Sequence, residues 1–555
     1  QVNDVLKYKR KLNIDNAHLC LAEQSDVSRK LEKLYVYARL KRDEDTQSAK
    51  YQGLTEKMDM LVVEASAAAS FVMPELSKIP VAQLKSALKR KEYANFTTII
   101  EDIIRDKKYI LSVKEEKMLS EISSFTDDFQ NIFVMFDNAD IKFERAKDEE
   151  GKPIDLTHGK YALLLQHPLQ KVRRSAFKTY YRSYENMINT IAATYAGCVK
   201  KNATLAKIRG FKSALDKALY YEAIPTAVYD NLIAAVKRST PSVHKYVAYR
   251  KRELGLRKLH MYDMYVPITK EANLELNYED AYALVVEALK PLGEKYTNIL
   301  KDAYNKGWID VEETKNKRNG AYSWGCYDSQ PVVLLNYKPT SHDVFTIAHE
   351  MGHAIHTYMS NNAQPYEKSS YTIFVAEIAS TVNEVLLLKH LLKTAEGDMK
   401  KFLLSYYLDM FRTTLFRQTM FSEFEKYAHE EIEKGNPITA ESLSEKYLEL
   451  NKEYYGKSVV HDEEISREWA RIPHFYRSFY VYKYATGLTA AVNIAQKILT
   501  EEGFVEKYYK FLSAGCSLKP LDSLLLADVD LTKVRPFTVA MREFRETLGA
   551  LKKLK

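Results

Sequence analysis

Along most of the chain, apolar residues recur at steps of three and four, the spacing that gathers them on one face of a helix. Leu31, Leu34, Tyr35 and Ala38 form one such stripe; Leu54, Met58, Leu61 and Val62 form another. The pattern runs from Val5 to about Tyr109, punctuated by Pro74 and Pro80, and resumes from Tyr161 to Leu256. Between them, 148–160 (DEEGKPIDLTHGK) combines Gly, Pro and charge and predicts a boundary, with an N-terminal helical lobe at 1–150 and a second region at 151–555. Residues 319–338 (NGAYSWGCYDSQPVVLLNYK) break the helical rhythm, and 332–335 is a short β-type run. No second such run lies nearby, so any sheet is small. With 18 Gly and 15 Pro in 555 residues, turns are too few for a β-sandwich, and the fold class is mostly α.

Composition narrows the class. A chain 46% hydrophobic and 28% charged can bury a core, so it is not disordered. The net charge of +8 is spread thinly, and Lys and Glu alternate in 114–117 and 425–434 as on solvated helix faces. No basic block carries interleaved aromatics, so no nucleic-acid partner is expected. No apolar run reaches bilayer-spanning length; the nearest, 60–73, is broken by Glu64. Cys20, Cys198, Cys326 and Cys516 are far apart without a Cys-x-x-Cys pair, and no apolar signal core follows Gln1, so a reducing, cytoplasmic setting is expected. The 40 Tyr against 22 Phe fit lobe interfaces or a polar channel equally well.

The chemistry concentrates in 340–360, TSHDVFTIAHEMGHAIHTYMS. Thr340 with Asp343 is a helix-start signal, and Val344, Ile347, Ala348, Met351, Ile355 and Tyr358 predict a buried stripe. His349 and His353, one turn apart, present two imidazoles to one tetrahedral zinc. Glu350 can reach a zinc-bound water without ligating the metal. A chain of this composition should contain such a His-acid-x-x-His spacing by chance only about 0.04 times. His356 shares the face, but the metzincin spacing would need histidine at Met359, so His356 is expected either beside the ligands or as a structural histidine. Glu377 and Glu384, seven apart on a very apolar stretch, supply the third ligand and an acceptor for a ligating histidine. The reverse assignment, or a structural Glu384, fits the same spacing. Further on, 472–487 (IPHFYRSFYVYKYATG) places His474 ahead of Tyr476, Tyr480 and Tyr484 on one predicted helical face, with Tyr482 off it. A histidine and one tyrosine there can stabilise an oxyanion; an aromatic core stripe explains the spacing equally well.

HEMGHAIHTYMS with Glu377 in FVAEIASTVNE, 28 positions after His349, resembles the thimet-oligopeptidase-like zinc metallopeptidases. The wording LYVYARLKRDEDT (34–46), GAYSWGCYDSQPVVLLNY (320–337) and IPHFYRSFYVYKYATG is similar to the oligoendopeptidase F branch. The resemblance implies a two-lobed helical ellipsoid with a deep central channel, a small β element beside the zinc helix, and 151–555 as the metallopeptidase region. It implies one zinc per chain on His349, His353 and Glu377, Glu350 as base, and His474 with Tyr484 as oxyanion donors. Tyr476 and Tyr480 are further candidates for touching substrate. The 332–335 run, with Val333 and Leu334, resembles an edge strand that pairs with substrate backbone.

The expected activity is therefore hydrolysis of internal bonds in short peptides by a zinc-bound water, with Glu350 taking its proton. A terminus-specific exopeptidase and a metal-free peptide-binding scaffold remain alternatives. Cobalt or manganese can occupy such a ligand set, although two histidines and a carboxylate favour zinc. Oligomeric state and cleavage preference leave no mark in the sequence.

Overall fold

A computed structural model describes residues 2–269 and 274–554. Helices dominate, as the apolar spacing requires, and the chain forms two compact units. One comprises Gln1–Ile110, Asn273–Leu391 and Ala490–Asp530; the other comprises Leu111–Ala272, Leu392–Thr489 and Leu531–Lys555. These units do not follow a cut at 150. The Gly/Pro stretch is a hairpin within the second unit, where Ala146–Lys147 pairs antiparallel with Pro153–Ile154 and Gly151 takes φ +84°. Thr157 then caps the His158–Leu164 helix. Glycine and proline mark a reversal of the chain, and a hairpin needs one as much as a linker does.

In the first unit, helices Ala17–Glu44 and Ala49–Ala69 form a hairpin across the 45–48 loop. Ala17, Cys20 and Leu21 share a core with Phe71, Leu84, Tyr93 and Ile100. The two predicted stripes are only partly covered: Ala38 and Met58 are buried, but Leu34, Leu61 and Val62 are exposed. Periodicity identifies a helix; which face is covered depends on what packs there.

A three-stranded sheet follows, in the order Ile309–Asp310, Val332–Leu334, Tyr322–Trp324. Val332–Leu334 is thus the middle strand and not an edge. Val333 N–H donates to the Trp308 carbonyl and Leu335 N–H to that of Asp310 (both 2.8 Å), while Tyr322 and Trp324 pair with Leu334 and Val332. Val333 and Leu334 are buried, as apolar residues between two neighbours must be. The two edges are Ile309–Asp310 and Tyr322–Trp324, the latter antiparallel to the middle strand. Alternation along an antiparallel pair turns the Ser323 main-chain N–H and C=O outward on that edge.

The Ser341–Ala363 helix starts as expected, with Asp343 N–H donating to Thr340 Oγ1 at 3.2 Å. It is buried on more than a stripe, and Tyr358, only partly covered, packs on Trp308. Beside it runs the Ile373–Thr394 helix. The two cross at Gly352, where a built Cβ would lie 2.5 Å from Ser380 Cα and 2.8 Å from the Ala379 carbonyl oxygen. Buried Asn383 locks the crossing, donating to the Ala348 carbonyl (3.0 Å) and accepting from Tyr296 (2.9 Å).

The second unit is built on helices Gln170–Glu185, Ile188–Ile208, Thr226–Glu253, Arg417–Glu433, Ala440–Tyr455 and Arg535–Lys553. Tyrosines anchor the interiors of both units: Tyr229 donates to the Ser422 carbonyl, Tyr447 to Glu468 (both 2.6 Å) and Tyr282 to the Leu300 carbonyl (2.8 Å). Among the described residues, no single helix is long and apolar enough to cross a membrane.

The Gly352 contact is backbone on backbone, so no side-chain rotation relieves it. Gly352→Ala should destabilise by at least about 1–3 kcal/mol. Gly549→Ala, on a helix with no atom within 4 Å of the added methyl, should stabilise by about 0.5–1 kcal/mol. Urea midpoints of the two variants check both signs.

Candidate metal centre

The crossing brings Glu377 to both histidines. His349 Nε2 and His353 Nε2 are 3.2 Å apart, and Glu377 Oε2 lies 3.4 Å from the first and 3.5 Å from the second. Two donors each about 2.0–2.1 Å from a tetrahedral zinc stand about 3.3–3.4 Å apart, so this triangle has the dimensions of one face of a zinc site. Among the described residues it is the one group of metal-binding side chains so gathered.

The electrostatics carry the same demand. Glu384 accepts from His349 Nδ1 at 2.5 Å, which leaves Nε2 facing the triangle. Burial alone would lower the His349 pKa, but Glu377 and Glu384 outweigh it and push it up to about 10. Hydrogen bonds from His349 and His353 hold the Glu377 carboxyl far below the usual range. Two carboxylates facing two imidazoles call for positive charge at this spot, which a divalent cation supplies. Glu377 sits in the triangle and Glu384 behind His349; their seven-residue spacing allowed this arrangement and its reverse alike.

Glu350 is buried, and burial raises its carboxyl pKa against the pull of His349 and His353. Ser323, on the Tyr322–Trp324 edge, donates its main-chain N–H to this carboxylate. Of its two expected places His356 takes the structural one: it stacks on Tyr371 with ring centroids 3.7 Å apart and lies against Phe511. Among the described residues its Nδ1 meets no partner, and burial lowers its pKa to about 3, so it is a neutral packing residue. Sharing a helical face with the ligands brought it near them, but its ring turns into the core. Gly352, Asn383 and Ser323 were not foreseen; a glycine between the two histidines and an asparagine in an apolar helix were their only sequence traces.

In the second unit, His474 lies in the 3₁₀ turn Pro473–Tyr476, and the next helix begins only at Tyr482. Phe479, at φ +60°, breaks the run between them, and its N–H donates at 3.0 Å to Glu425, a carboxyl kept neutral by burial. The continuous helical face predicted for Tyr476, Tyr480 and Tyr484 therefore does not exist. Tyr480 and Tyr484 nevertheless meet His474: the Tyr484 hydroxyl is 3.4 Å from His474 Nε2, and the two tyrosine rings are 5.5 Å apart. Burial, with Arg477 and Arg417, lowers the His474 pKa, so its ring is neutral. Tyr476 points away into the core, stacked on Phe133 at 4.6 Å with its hydroxyl unpaired, so it is no candidate for touching substrate. Tyr482 is buried against Tyr229, off the cluster as expected.

A helical fold that brings a carboxylate from a second helix to the two histidines of a His-Glu-x-x-His helix has the arrangement of the helical metallopeptidases. Residues 163–543 match the model of peptidase family M3, and 75–143 match the Oligopeptidase F model. Oligopeptidase PepF of Bacillus subtilis is 40% identical over 558 residues, spanning 100% of this chain and 83% of its own. Group B oligopeptidase PepB of Streptococcus agalactiae is 38% identical, spanning 98% and 93%. The crystal structure of oligoendopeptidase-F from Enterococcus faecium superposes with a TM-score of 0.77 at 35% identity, covering 100% of this chain and 97% of that one. A Chlamydophila abortus structure superposes at 0.94 with 36% identity, covering 98% and 91%. The chain belongs to peptidase family M3, in its oligoendopeptidase F branch, and is a peptide-cleaving metalloendopeptidase.

Proposed function

We propose that this chain is a zinc endopeptidase of short peptides, with one zinc on His349, His353 and Glu377. The observation that carries the reading is the 3.2–3.5 Å triangle of these atoms, with Glu350 on the same helix. Zinc held there would supply Lewis acidity and bring the pKa of a bound water down toward neutrality. Glu350 takes the proton of the attacking water and hands it to the leaving amine; burial, which favours its protonated form, suits a carboxylate that must accept and then release. Glu384 fixes the His349 ring. His474 and Tyr484 donate to the developing oxyanion, a role supported by a neutral imidazole in hydrogen-bond reach of a phenol. Tyr480, whose ring neighbours both, is a further candidate for touching substrate.

An extended peptide adds to the edge Tyr322–Trp324, where the outward Ser323 carbonyl can accept from its backbone N–H; Val333 and Leu334 are spent within the sheet. The four free cysteines fit a reducing, cytoplasmic setting.

Elemental analysis of purified protein should give one zinc per chain, lost in His349→Ala, His353→Ala and Glu377→Gln. Glu384→Gln should weaken metal binding by about 10–100-fold only. A Glu377→Gln variant with full zinc would reverse the two acids.

Glu350→Gln should keep its zinc and lose at least about 10²-fold in kcat on an end-blocked peptide. Blocked substrates also separate an endopeptidase, which cuts them, from a terminus-specific enzyme, which does not.

Tyr484→Phe should lower kcat by about 10²–10³ with little change in KM, because the donor meets charge present only in the transition state. Tyr476→Phe, which removes an unpaired buried hydroxyl, should leave both constants near wild type. Equal effects of the two variants would reduce the cluster to an aromatic core.

A further inference from the structure

The Tyr322–Trp324 edge strand is three residues long, too short to hold its own position. What holds it lies in the first unit, far away in sequence. From Arg29 onward the Ala17–Glu44 helix runs antiparallel to 316–328 and meets it through Arg29, Tyr35 and Asp43. Arg29 pairs with Asp328, with Nε 2.8 Å from Oδ2, and Tyr35 meets Trp324 edge-on at 6.0 Å. Asp43 accepts from the Tyr322 hydroxyl (3.0 Å) and from Arg318 Nη1 (2.9 Å), and its carbonyl accepts from Arg318 N–H (2.9 Å). Just past the helix, Thr46 N–H and hydroxyl both donate to the Asn316 carbonyl.

Tyr322 and Trp324 are two residues apart and point to the same face of the sheet, so the helix grips that face, while on the outward edge the Ser323 N–H is taken by Glu350 and the Ser323 carbonyl is left to accept from a peptide. Asp43 is the only charged group in this ladder that is wholly buried. Arg42, at 2.8 Å, completes its donor set, and these donors keep it ionised against burial. A buried carboxylate is costly unless every lone pair is met, and its donors here come from both sides of the strand's entry. Such a group tolerates one placement of Tyr322 and penalises others. The RDEDT wording at 42–46, otherwise without a role in the chemistry, is the end of this ladder.

We infer that the Ala17–Glu44 helix is a splint for the substrate-pairing edge and that Asp43, through Tyr322, is the positioning residue that sets the register of that edge. The inference rests on the reading that peptide backbone adds to Tyr322–Trp324.

The test uses zinc-loaded full-length enzyme and a blocked octapeptide, plain or N-methylated at one backbone amide at a time. In the wild type, methylation at one or more positions should raise KM, because it removes a main-chain donor. Asp43→Asn and Tyr322→Phe should each raise KM for the plain peptide about tenfold, keep kcat within about twofold, and blunt the N-methyl effect. A merely structural role predicts the reverse: a smaller active fraction lowers the apparent kcat and leaves KM alone. Tyr322→Phe removes one hydroxyl and keeps the ring, so it reads out even where Asp43→Asn folds poorly. If the wild type ignores N-methylation, the edge-pairing reading falls, and the splint with it. If the wild type discriminates but both variants keep wild-type KM and discrimination, edge pairing stands and Asp43 has no positioning role.

Discussion

The candidate centre depends on two helices approaching until their backbones touch. At Gly352 the Ser341–Ala363 and Ile373–Thr394 helices leave no room for a methyl group. Any side chain there would push Glu377 away from His349 and His353, and the triangle would open beyond what one small cation can span. Asn383 supplies the complementary attraction, with a buried amide that reaches the Ala348 carbonyl and is itself held by Tyr296. An unpaired amide at this depth is costly, so the contact is specific as well as close.

Around that crossing, charge is placed where burial must be compensated. Glu377 and Glu384 sit on an apolar helix because each answers an imidazole. Glu350 sits next to them with one main-chain donor, less well compensated than its neighbours, and its carboxyl is correspondingly easier to protonate. Asp43 solves the same problem at a distance, with arginine and tyrosine donors. In the second unit Glu468 is held by Arg417, Arg471 and Tyr447 just ahead of His474, which gives that short 3₁₀ turn a rigid base. Tyr229, Tyr282 and Tyr447 belong to this pattern: each brings a ring to a core and a hydroxyl to a buried acceptor.

Two expectations failed for instructive reasons. The one-face argument for Tyr476, Tyr480 and Tyr484 assumed a continuous helix; Phe479 in a left-handed conformation interrupts it, and its N–H is satisfied by Glu425, 54 residues earlier in the chain. The edge assignment for 332–335 followed from its apolar side chains. Yet an apolar run is what a middle strand needs, and the less regular Tyr322–Trp324 is an edge.

Local regularities were enough to read the helical class, the capped Thr340 helix, the paired histidines with Glu350, and the seven-residue step between Glu377 and Glu384. Each depends on covalent spacing and helical pitch, which are properties of the chain itself. Tertiary structure alone decided how near the two metal helices come, that His356 turns into the core, which strands are the edges, and what holds the Tyr322–Trp324 edge in place. Those outcomes depend on contacts between residues tens to hundreds of positions apart, such as Asp43 with Tyr322, and no periodicity encodes which distant surfaces will meet.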